Sequence, residues 1–175
     1  MTEDMTTAAG ALPRRIVLMG VAGSGKSTVG EALARQTGTT YRDGDDLHPA
    51  ANIAKMSRGE PLTDEDRWPW LTLVGEALAQ AETTLTIGCS ALKRRYRDHI
   101  RSRADGPVVF VHLSGSRAVI ESRMGARTGH FMPTSLLDSQ FATLEAPATD
   151  EHAVTVDIDQ PLDTLVAEII EKLHD

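Results

Sequence analysis

The chain has 175 residues, of which 41% are hydrophobic and 25% charged, the composition of one soluble globular domain with a sizeable core. A net charge of −7 argues against broad binding to nucleic acid or membrane surfaces, and the single cysteine, Cys89, excludes an intrachain disulfide or a cysteine-built zinc site. We find no apolar run of membrane-spanning length and no signal peptide, so we expect a cytoplasmic protein whose residues 1–12 form a flexible extension.

Five apolar segments alternate with helical patterns along the chain. The predicted strands are Arg15 to Met19, Thr39 to Arg42, Thr83 to Gly88, Pro107 to Leu113 and Ala153 to Ile158. The predicted helices span about 25–36, 50–56, 69–81, 90–101 and 117–127, and two more start at Pro133 and Pro161. This order predicts an α/β fold, a five-stranded parallel sheet with helices on both faces. Ligands of such sheets bind beyond the carboxyl ends of the strands.

One predicted helix contains a conflict between two local signals. Thr63 to Asp66 has the pattern of a capping box, which starts a helix, but Pro69 would break a helix interior. We therefore expect a short capped turn, followed by a main helix that begins near Pro69.

The first predicted strand leads into a glycine-rich turn and then a helix. The pattern G-x-x-x-x-G-K-S in this context is typical of a phosphate-binding P-loop. Its glycines let backbone N–H groups surround phosphate oxygens, and the helix N-terminus adds partial positive charge. Lys26 is expected to reach the β- and γ-phosphates, and the Ser27 hydroxyl to bind Mg²⁺. The sequence thus predicts a nucleoside triphosphate site formed by Gly20, Ala22, Gly23, Ser24, Gly25, Lys26, Ser27 and Thr28.

Two carboxylates follow the second predicted strand, at the edge where ligands are expected. The third strand ends without the aspartate that helps to hold Mg²⁺ in many P-loop ATPases, so Asp43 and Asp45 are the nearest candidates. Alternation in an extended segment would place both on one side. We expect one carboxylate to serve Mg²⁺ through water and the other to accept the proton of a phosphoryl acceptor.

Two pairs of cations occur at i, i+4 spacing in predicted helices. Lys93 and Arg97 follow the third strand, and a cation in a first helical turn is disfavoured by the helix dipole, which marks both as candidates for binding an anionic acceptor. Arg123 and Arg127 precede a glycine hinge and suit a lid over a triphosphate. Two surface arginines near a helix C-terminus would suit the dipole equally well.

Longer segments match a known family. They include Asp43-Gly44-Asp45, Leu47-His48-Pro49, Cys89-Ser90-Ala91-Leu92-Lys93 and Gly129-His130-Phe131. From Arg15 onward the chain resembles the gluconate kinases (gluconokinases) of the small P-loop, adenylate-kinase-like type. The resemblance implies that residues 13–175 form one kinase domain, a three-layer sandwich like nucleoside and shikimate kinases, with a mobile lid at about 123–135. It implies transfer of the ATP γ-phosphate to the 6-hydroxyl of D-gluconate with Mg²⁺, commonly by a homodimer.

The same resemblance implies roles for individual residues. Asp45 would hold the attacking hydroxyl, Lys26 and Arg127 would act on the phosphates, and Arg123 would meet adenine or phosphate. Independently of the resemblance, the missing aspartate at the end of the third strand leads us to expect Ser27 as the direct ligand of Mg²⁺ and Asp43 as a ligand through water. The residues expected on the acceptor are Asp45, His48, Lys55, Arg67, Lys93, Arg97, His130 and Gln140. Those expected on the nucleotide beyond the P-loop are Arg123, Arg127, Gln160 and Pro161.

Two other functions remain open at this point. One is a kinase of the same fold that acts on shikimate or a nucleoside monophosphate. The other is a P-loop domain that binds ATP only as a regulatory or assembly switch. A carboxylate pair and a cationic stripe at the same sheet edge favour a kinase, because a switch needs neither.

Overall fold

The computed structural model describes residues 12–125 and 134–174. The strands are β1 (Arg15–Met19), β2 (Thr40–Asp43), β3 (Leu85–Gly88), β4 (Val109–Ser114) and β5 (Ala153–Asp157). The helices are α1 (Lys26–Thr37), α2 (Ala50–Ser57), α3 (Asp64–Ala79), α4 (Arg94–Arg103), α5 (Arg117–Gly125), α6 (Thr134–Thr143) and α7 (Leu162–His174), with a 3-10 turn at Gly44–Leu47. Residues 1–11 of the predicted extension and 126–133 of the predicted lid, with Arg127 and His130, lie outside the described residues.

The five strands form one parallel sheet in the order β2-β3-β1-β4-β5. β1 lies at the centre, where Val17 is level with Ile87 of β3 and with Phe110 of β4. The parallel five-stranded sheet predicted from the sequence is therefore confirmed, although β2, β3 and β4 begin one or two residues later than predicted. Within the described ranges, no helix combines the length and apolar character needed to cross a bilayer.

Helices cover both faces of the sheet, and each face has its own hydrophobic core. Successive residues of β1 point to opposite faces, as in any strand. Ile16 and Leu18 pack in one core with α1 and α7, whereas Val17 and Met19 pack in the other with α3 and α4. All four side chains are fully buried, which explains why β1 is a continuous apolar run.

α3 is one continuous helix, so the predicted break before Pro69 is wrong. The capping box is present, because the Thr63 side chain accepts from the backbone N–H of Asp66 and the Asp66 side chain accepts from that of Thr63. Pro69 removes one helical hydrogen bond but lies on the exposed side. Burial of Trp70 and Leu71 directly after it, together with the cap, holds the helix across that position.

α4 begins four residues later than predicted, and this overturns the predicted cationic stripe. Lys93 is the extended N-cap residue (φ −108°, ψ 146°) rather than a member of the first turn. Arg97 is completely buried and faces away from solvent. Its guanidinium donates to both carboxylate oxygens of Glu151 (2.7 and 2.9 Å) and to the carbonyl oxygen of Ala91 (2.9 Å). The expected role of Arg97 in binding the acceptor is therefore wrong, since its donors are used inside the protein.

The Arg97–Glu151 pair joins α4 to the segment before β5. Glu151 also accepts from Arg101 and from the backbone N–H of Ala148, so the buried carboxylate is fully hydrogen-bonded. The Arg97 guanidinium, with these other donors, lowers the pKa of Glu151 to about 2. Arg97 also holds Ala91 in a left-handed conformation (φ 45°), which non-glycine residues rarely adopt. The pair thereby fixes the segment that carries Lys93.

Substitution Glu151→Gln should lower the free energy of unfolding by about 3–5 kcal/mol, because it leaves the Arg97 charge buried without a counter-ion. The pKa of Glu151 is lower in the folded protein than its ordinary value of 4.5. Its stabilising contribution is therefore complete above that value and is lost as the pH falls towards about 2. Urea denaturation at several pH values measures both effects. Asp150→Asn, which removes an exposed partner of Arg94, is the control and should cost at most about 1 kcal/mol; equal costs for the two variants would contradict the assignment.

Candidate functional site

A cavity opens at the carboxyl edge of the sheet, above the ends of β1, β2 and β3. Residues from three separate parts of the chain line it, because the parallel strands deliver their following loops to the same edge. They are Ala22, Gly23, Gly25, Lys26, Ser27, Thr28, Tyr41, Asp43, Asp45 and Gly88. The structure thus brings the predicted P-loop and the predicted carboxylate pair together.

The P-loop has the conformation that its glycines permit. Gly25 has a left-handed backbone (φ 95°) and is the N-cap of α1, whose N-terminus faces the cavity. Lys26 bends back over the loop, and its ammonium donates to the carbonyl oxygens of Gly20 (3.0 Å) and Val21 (3.2 Å). Burial lowers the pKa of Lys26, whereas the nearby carboxylates of Asp45 and Asp43 act in the opposite direction.

Gln140 of α6 lies against the P-loop. Its side-chain oxygen accepts a hydrogen bond of 2.6 Å from the backbone N–H of Ala22. The contact ties α6 to the wall of the cavity that carries the phosphate-binding loop. Gln140 was expected on the acceptor, and in the structure its side chain contacts the P-loop.

The turn after β2 is held rigidly. Asp43 caps it, because its carboxylate accepts from the backbone N–H of Asp45 (2.9 Å), and the indole N–H of Trp70 donates to the carbonyl oxygen of Gly44 (2.8 Å). A β-carbon at Gly44 would lie 2.4 Å from the carbonyl oxygen of Gly88, so the turn packs directly on β3. The expected extended alternation of Asp43 and Asp45 is wrong, since the chain turns between them, but both line the cavity.

Asp45 projects from this turn into the open part of the cavity, with 79% of its side chain exposed. Protein atoms around the carboxyl group exclude part of its water, and this desolvation raises the pKa of Asp45. The negative charge of Asp43 raises the pKa further, whereas the positive charge of Lys26 lowers it. A carboxylate with a raised pKa, opposite a P-loop lysine, can accept a proton from a hydroxyl group.

Tyr41 forms a wall of the cavity that was not predicted. Its ring lies against Gly30, where an added β-carbon would be 2.2 Å from ring atoms, and its hydroxyl lies equally close to the same position at Gly88. Burial raises the pKa of Tyr41 to about 12, so the phenol remains neutral. Gly30 and Gly88 leave room for the Tyr41 ring, but the sequence does not show that they lie next to it until the pairing of β2 with β3 is known.

His48 lies beside Asp45, which lines the cavity. Its ring stacks on Trp70 with centroids 4.0 Å apart, and its Nε2 is 3.9 Å from a carboxylate oxygen of Asp45. Burial lowers the pKa of His48, and the positive charge of Arg67 adds to this. The buried side chain of Asn52 contacts the other ring nitrogen, a partner that the sequence did not identify.

Three cations surround the ring of Tyr96, and we call Arg67, Lys93, Arg95, Tyr96 and Asp64 the Tyr96 cluster. The charged groups lie 5.4 to 5.7 Å from the ring centroid. Asp64 accepts from the Tyr96 hydroxyl (2.6 Å) and from Arg95, and these bonds lower its pKa. One carboxylate among three cations leaves an excess of positive charge, and the charge of Arg67 acts on His48. Lys93 and Arg67 were predicted here, whereas Arg95, Tyr96 and Asp64 were not.

Lys55, which was expected on the acceptor, forms an ion pair with Asp66 of α3. Its ammonium donates to Asp66 at 2.6 Å, and this hydrogen bond is the main reason that the pKa of Asp66 falls to about 2. Asp66 also completes the cap of α3, so Lys55 secures α2 against that helix. The pair places Lys55 in the scaffold of the site.

Three of the predicted nucleotide residues, Arg123, Gln160 and Pro161, lie at or near the loop between β5 and α7. Arg123 donates to the carbonyl oxygen of Ile158 in this loop. The Gln160 amide donates to Asp157 (2.6 Å) and to Glu168 (2.8 Å), which leaves its oxygen as an acceptor. Pro161 directly precedes α7. Arg123 therefore joins α5, the helix that leads towards residues 126–133, to the loop of Gln160 and Pro161.

Comparison with known proteins gives consistent matches over most of the chain. A family described as "AAA domain" matches residues 16–147. A gluconokinase of Gluconobacter oxydans is 46% identical over 173 residues, which cover 97% of this chain and 96% of that protein. A solved gluconokinase structure from Sinorhizobium meliloti superposes with a TM-score of 0.86 at 53% identity and covers 93% of both chains.

More distant structures share the fold alone. The shikimate kinase of Aquifex aeolicus has a TM-score of 0.58 at 20% identity and covers 91% of this chain and 95% of its own. This likeness confirms the predicted three-layer sandwich of the small P-loop kinases.

Substitution Gly44→Ala should lower both stability and turnover. The new β-carbon would meet the Gly88 carbonyl at 2.4 Å, which forces the turn away from β3 and shifts Asp45. We expect a loss of about 1–3 kcal/mol in unfolding free energy and a fall in kcat of tenfold or more, on the order of what a 1 Å misplacement costs.

Gly38→Ala is the matched control for this prediction. Gly38 has a left-handed backbone, unlike Gly44, but nothing lies within 4 Å of the added carbon, and the residue ends α1 away from the cavity. It should cost about 1 kcal/mol of stability with kcat unchanged. Normal kcat in Gly44→Ala, measured on folded protein, would disprove the role assigned to the turn.

Proposed function

This chain belongs to the gluconokinases and is an ATP-dependent kinase of gluconate; we propose that it transfers the γ-phosphate to the 6-hydroxyl of D-gluconate, giving 6-phosphogluconate and ADP. The observation that carries the proposal is the arrangement around the cavity. Asp45 and the P-loop lysine both line it, and His48, 3.9 Å from Asp45, is subject to the positive charge of Arg67 from the Tyr96 cluster. A neutral acceptor would not require such an excess of positive charge.

Phosphoryl transfer depends on position and electrostatics more than on covalent help from the protein. The attacking hydroxyl oxygen forms a bond to phosphorus, the bond from phosphorus to the β-phosphate oxygen breaks, and the hydroxyl proton passes to Asp45. Lys26 and the backbone N–H groups of the P-loop neutralise charge on the phosphate oxygens. For this, the Lys26 ammonium leaves the carbonyl oxygens of its own loop for the nucleotide.

The residues of the cavity suit Mg²⁺, which would shield phosphate charge and align the terminal phosphate when bound. The Ser27 hydroxyl and the Asp43 carboxylate both line the cavity, and hard oxygen ligands are those that this ion prefers. We assign Ser27 to direct contact and Asp43 to contact through water. Asp43 retains an ordered orientation because it caps the turn of Asp45.

The acceptor carboxylate is assigned to the Tyr96 cluster. Asp64 is paired most closely with Arg95 and lies 3.8 Å from Arg67, so Lys93, together with Arg67, supplies the charge available to a ligand. Gluconate then extends from this cluster past His48 to Asp45, where its far hydroxyl meets the phosphate. In this arrangement the distance between the cluster and the P-loop selects the length of the sugar acid.

The direct test of the proposed function is an ADP-release assay on a panel of acceptors. It should include gluconate, related sugar acids, shikimate and nucleoside monophosphates at equal concentrations. We expect turnover with gluconate and with few close analogues, and product analysis should place the phosphate on the 6-oxygen. Turnover confined to a non-sugar acceptor would overturn the proposal.

Substitution Asp45→Asn should keep ATP binding and lower kcat by about 10²-fold or more, as expected for loss of a general base. In the native enzyme the raised pKa of Asp45 means that activity should fall on the acid side at a higher pH than an ordinary aspartate would give. Asp46→Asn on the same turn is the control and should retain most activity. Near-normal kcat in Asp45→Asn would remove Asp45 from this role.

Substitution Lys93→Ala should raise KM for gluconate about tenfold or more, the value of a charge-assisted hydrogen bond, and should leave KM for ATP nearly unchanged. Arg94→Ala is the matched control, because this neighbouring cation is paired with Asp150. Steady-state kinetics with each substrate varied in turn measures both constants. An effect confined to ATP would assign Lys93 to the nucleotide.

A further inference from the structure

The buried side chain of Asn52 lies next to His48 and is not used by the proposed mechanism. Asn52 is the only asparagine of the chain and lies in the first turn of α2, with 4% of its surface exposed. Its amide nitrogen is 2.9 Å from the backbone carbonyl oxygen of Asp66 and 3.2 Å from Nδ1 of His48. A polar group buried this deeply must have its hydrogen bonds satisfied inside the protein.

The backbone carbonyl of Asp66 determines which way the Asn52 amide is turned. A carbonyl oxygen can only accept, so the atom of Asn52 that faces it must be the NH₂ group. The same NH₂ group then has its second hydrogen directed at the His48 ring. Because that group cannot accept a hydrogen bond, Nδ1 of His48 must be the acceptor and carries no proton.

We propose that Asn52 is a positioning residue that holds His48 as the neutral tautomer with its proton on Nε2, so that the ring donates towards Asp45 and the acceptor hydroxyl. The inference concerns the same site as the proposed kinase activity and rests on it for its functional meaning. Nε2 is the ring atom that faces Asp45, at 3.9 Å from its carboxylate oxygen, a distance that a bound hydroxyl can bridge. A donor at this point orients the lone pairs of the hydroxyl while Asp45 takes its proton.

The surroundings of the ring support the neutral form. Trp70 covers one face of the ring, and 4% of the His48 side chain is exposed. The charged groups that face the ring are Asp45 on the 3-10 turn and Arg67 on α3; Asp66 on the same helix is engaged by Lys55 from α2. Burial and Arg67 lower the pKa of His48, so the ring remains neutral through the physiological range.

The tautomer can be observed directly in the unmodified protein. Nitrogen-15 NMR of histidine-labelled enzyme distinguishes protonated from unprotonated ring nitrogens, and His48→Gln identifies the signals of His48 among the six histidines. Recorded without gluconate, the spectrum should show Nδ1 unprotonated and Nε2 protonated from about pH 6.5, where an ordinary histidine is half protonated, up to about pH 8.5. A proton on Nδ1, or titration of His48 in that range, would overturn the inference even if the enzyme phosphorylates gluconate.

The variant Asn52→Asp tests the consequence for turnover. The new carboxylate would accept from Nδ1–H and would favour the charged ring. Below the raised pKa of His48, the doubly protonated ring still donates from Nε2. Above that pKa, the one remaining proton stays on Nδ1, and Nε2 faces Asp45 as an acceptor. We expect kcat to fall about tenfold or more with rising pH in this variant and to be flat over the same range in the native enzyme.

Two further variants separate positioning from mere packing. His48→Gln combined with Asn52→Asp should lose the new pH dependence, because the glutamine amide cannot ionise. Asn52→Ala loses the bond to Asp66 as well and should be less stable, but it should show no new ionisation. Identical pH profiles for Asn52→Asp and Asn52→Ala would show that Asn52 acts only through stability and would refute the positioning role.

Discussion

The site depends on the close contact between the turn at Gly44 and the end of β3. A glycine is required there because any β-carbon would meet the Gly88 carbonyl, and the Trp70 indole N–H binds the carbonyl oxygen of the same glycine. Asp43 then caps the turn with its own carboxylate. These three contacts therefore fix the position of Asp45, although its charged side chain remains largely exposed. The acceptor side can remain open to solvent and still be ordered before substrate arrives, which is the condition for efficient transfer.

Positive charge is used in two physically different ways within a few residues of α4. Arg97 is buried, fully paired with Glu151 and holds a strained backbone at Ala91. Lys93 is half-buried over an aromatic ring whose neighbouring carboxylate is already engaged. The first arrangement stabilises the segment, and the second leaves charge available to a ligand. Lys93 is the N-cap of α4, and Arg97 lies inside the same helix. Their different surroundings give Arg97 a structural role and leave Lys93 available to a ligand.

Local patterns were sufficient to predict the strands, most helices and the P-loop, because each depends on a few adjacent residues. They were insufficient wherever a distant partner decides. Pro69 was expected to interrupt α3, but buried residues after it hold the helix. Arg97 was expected in the site, but its partner Glu151 is 54 residues away. The i, i+4 spacing of Lys93 and Arg97 predicted that both would lie on one helical face. The prediction is wrong because the helix begins at Arg94, after Lys93. The sequence assigned no role to Asn52, because that role depends on its hydrogen bonds to both Asp66 and His48.

The central place of β1 has a consequence for how the chain folds. This strand is made early in synthesis, yet its hydrogen-bonding partners on both sides, β3 and β4, follow only after the acceptor-side helices. Until they emerge, a fully apolar segment and an unsupported P-loop are exposed together on the nascent chain. Such non-local parallel pairing is slow and leaves strand edges open to wrong partners. Truncated or stalled chains that end before β4 should accordingly be the aggregation-prone species of this enzyme, and chaperone demand should fall once β4 has been made.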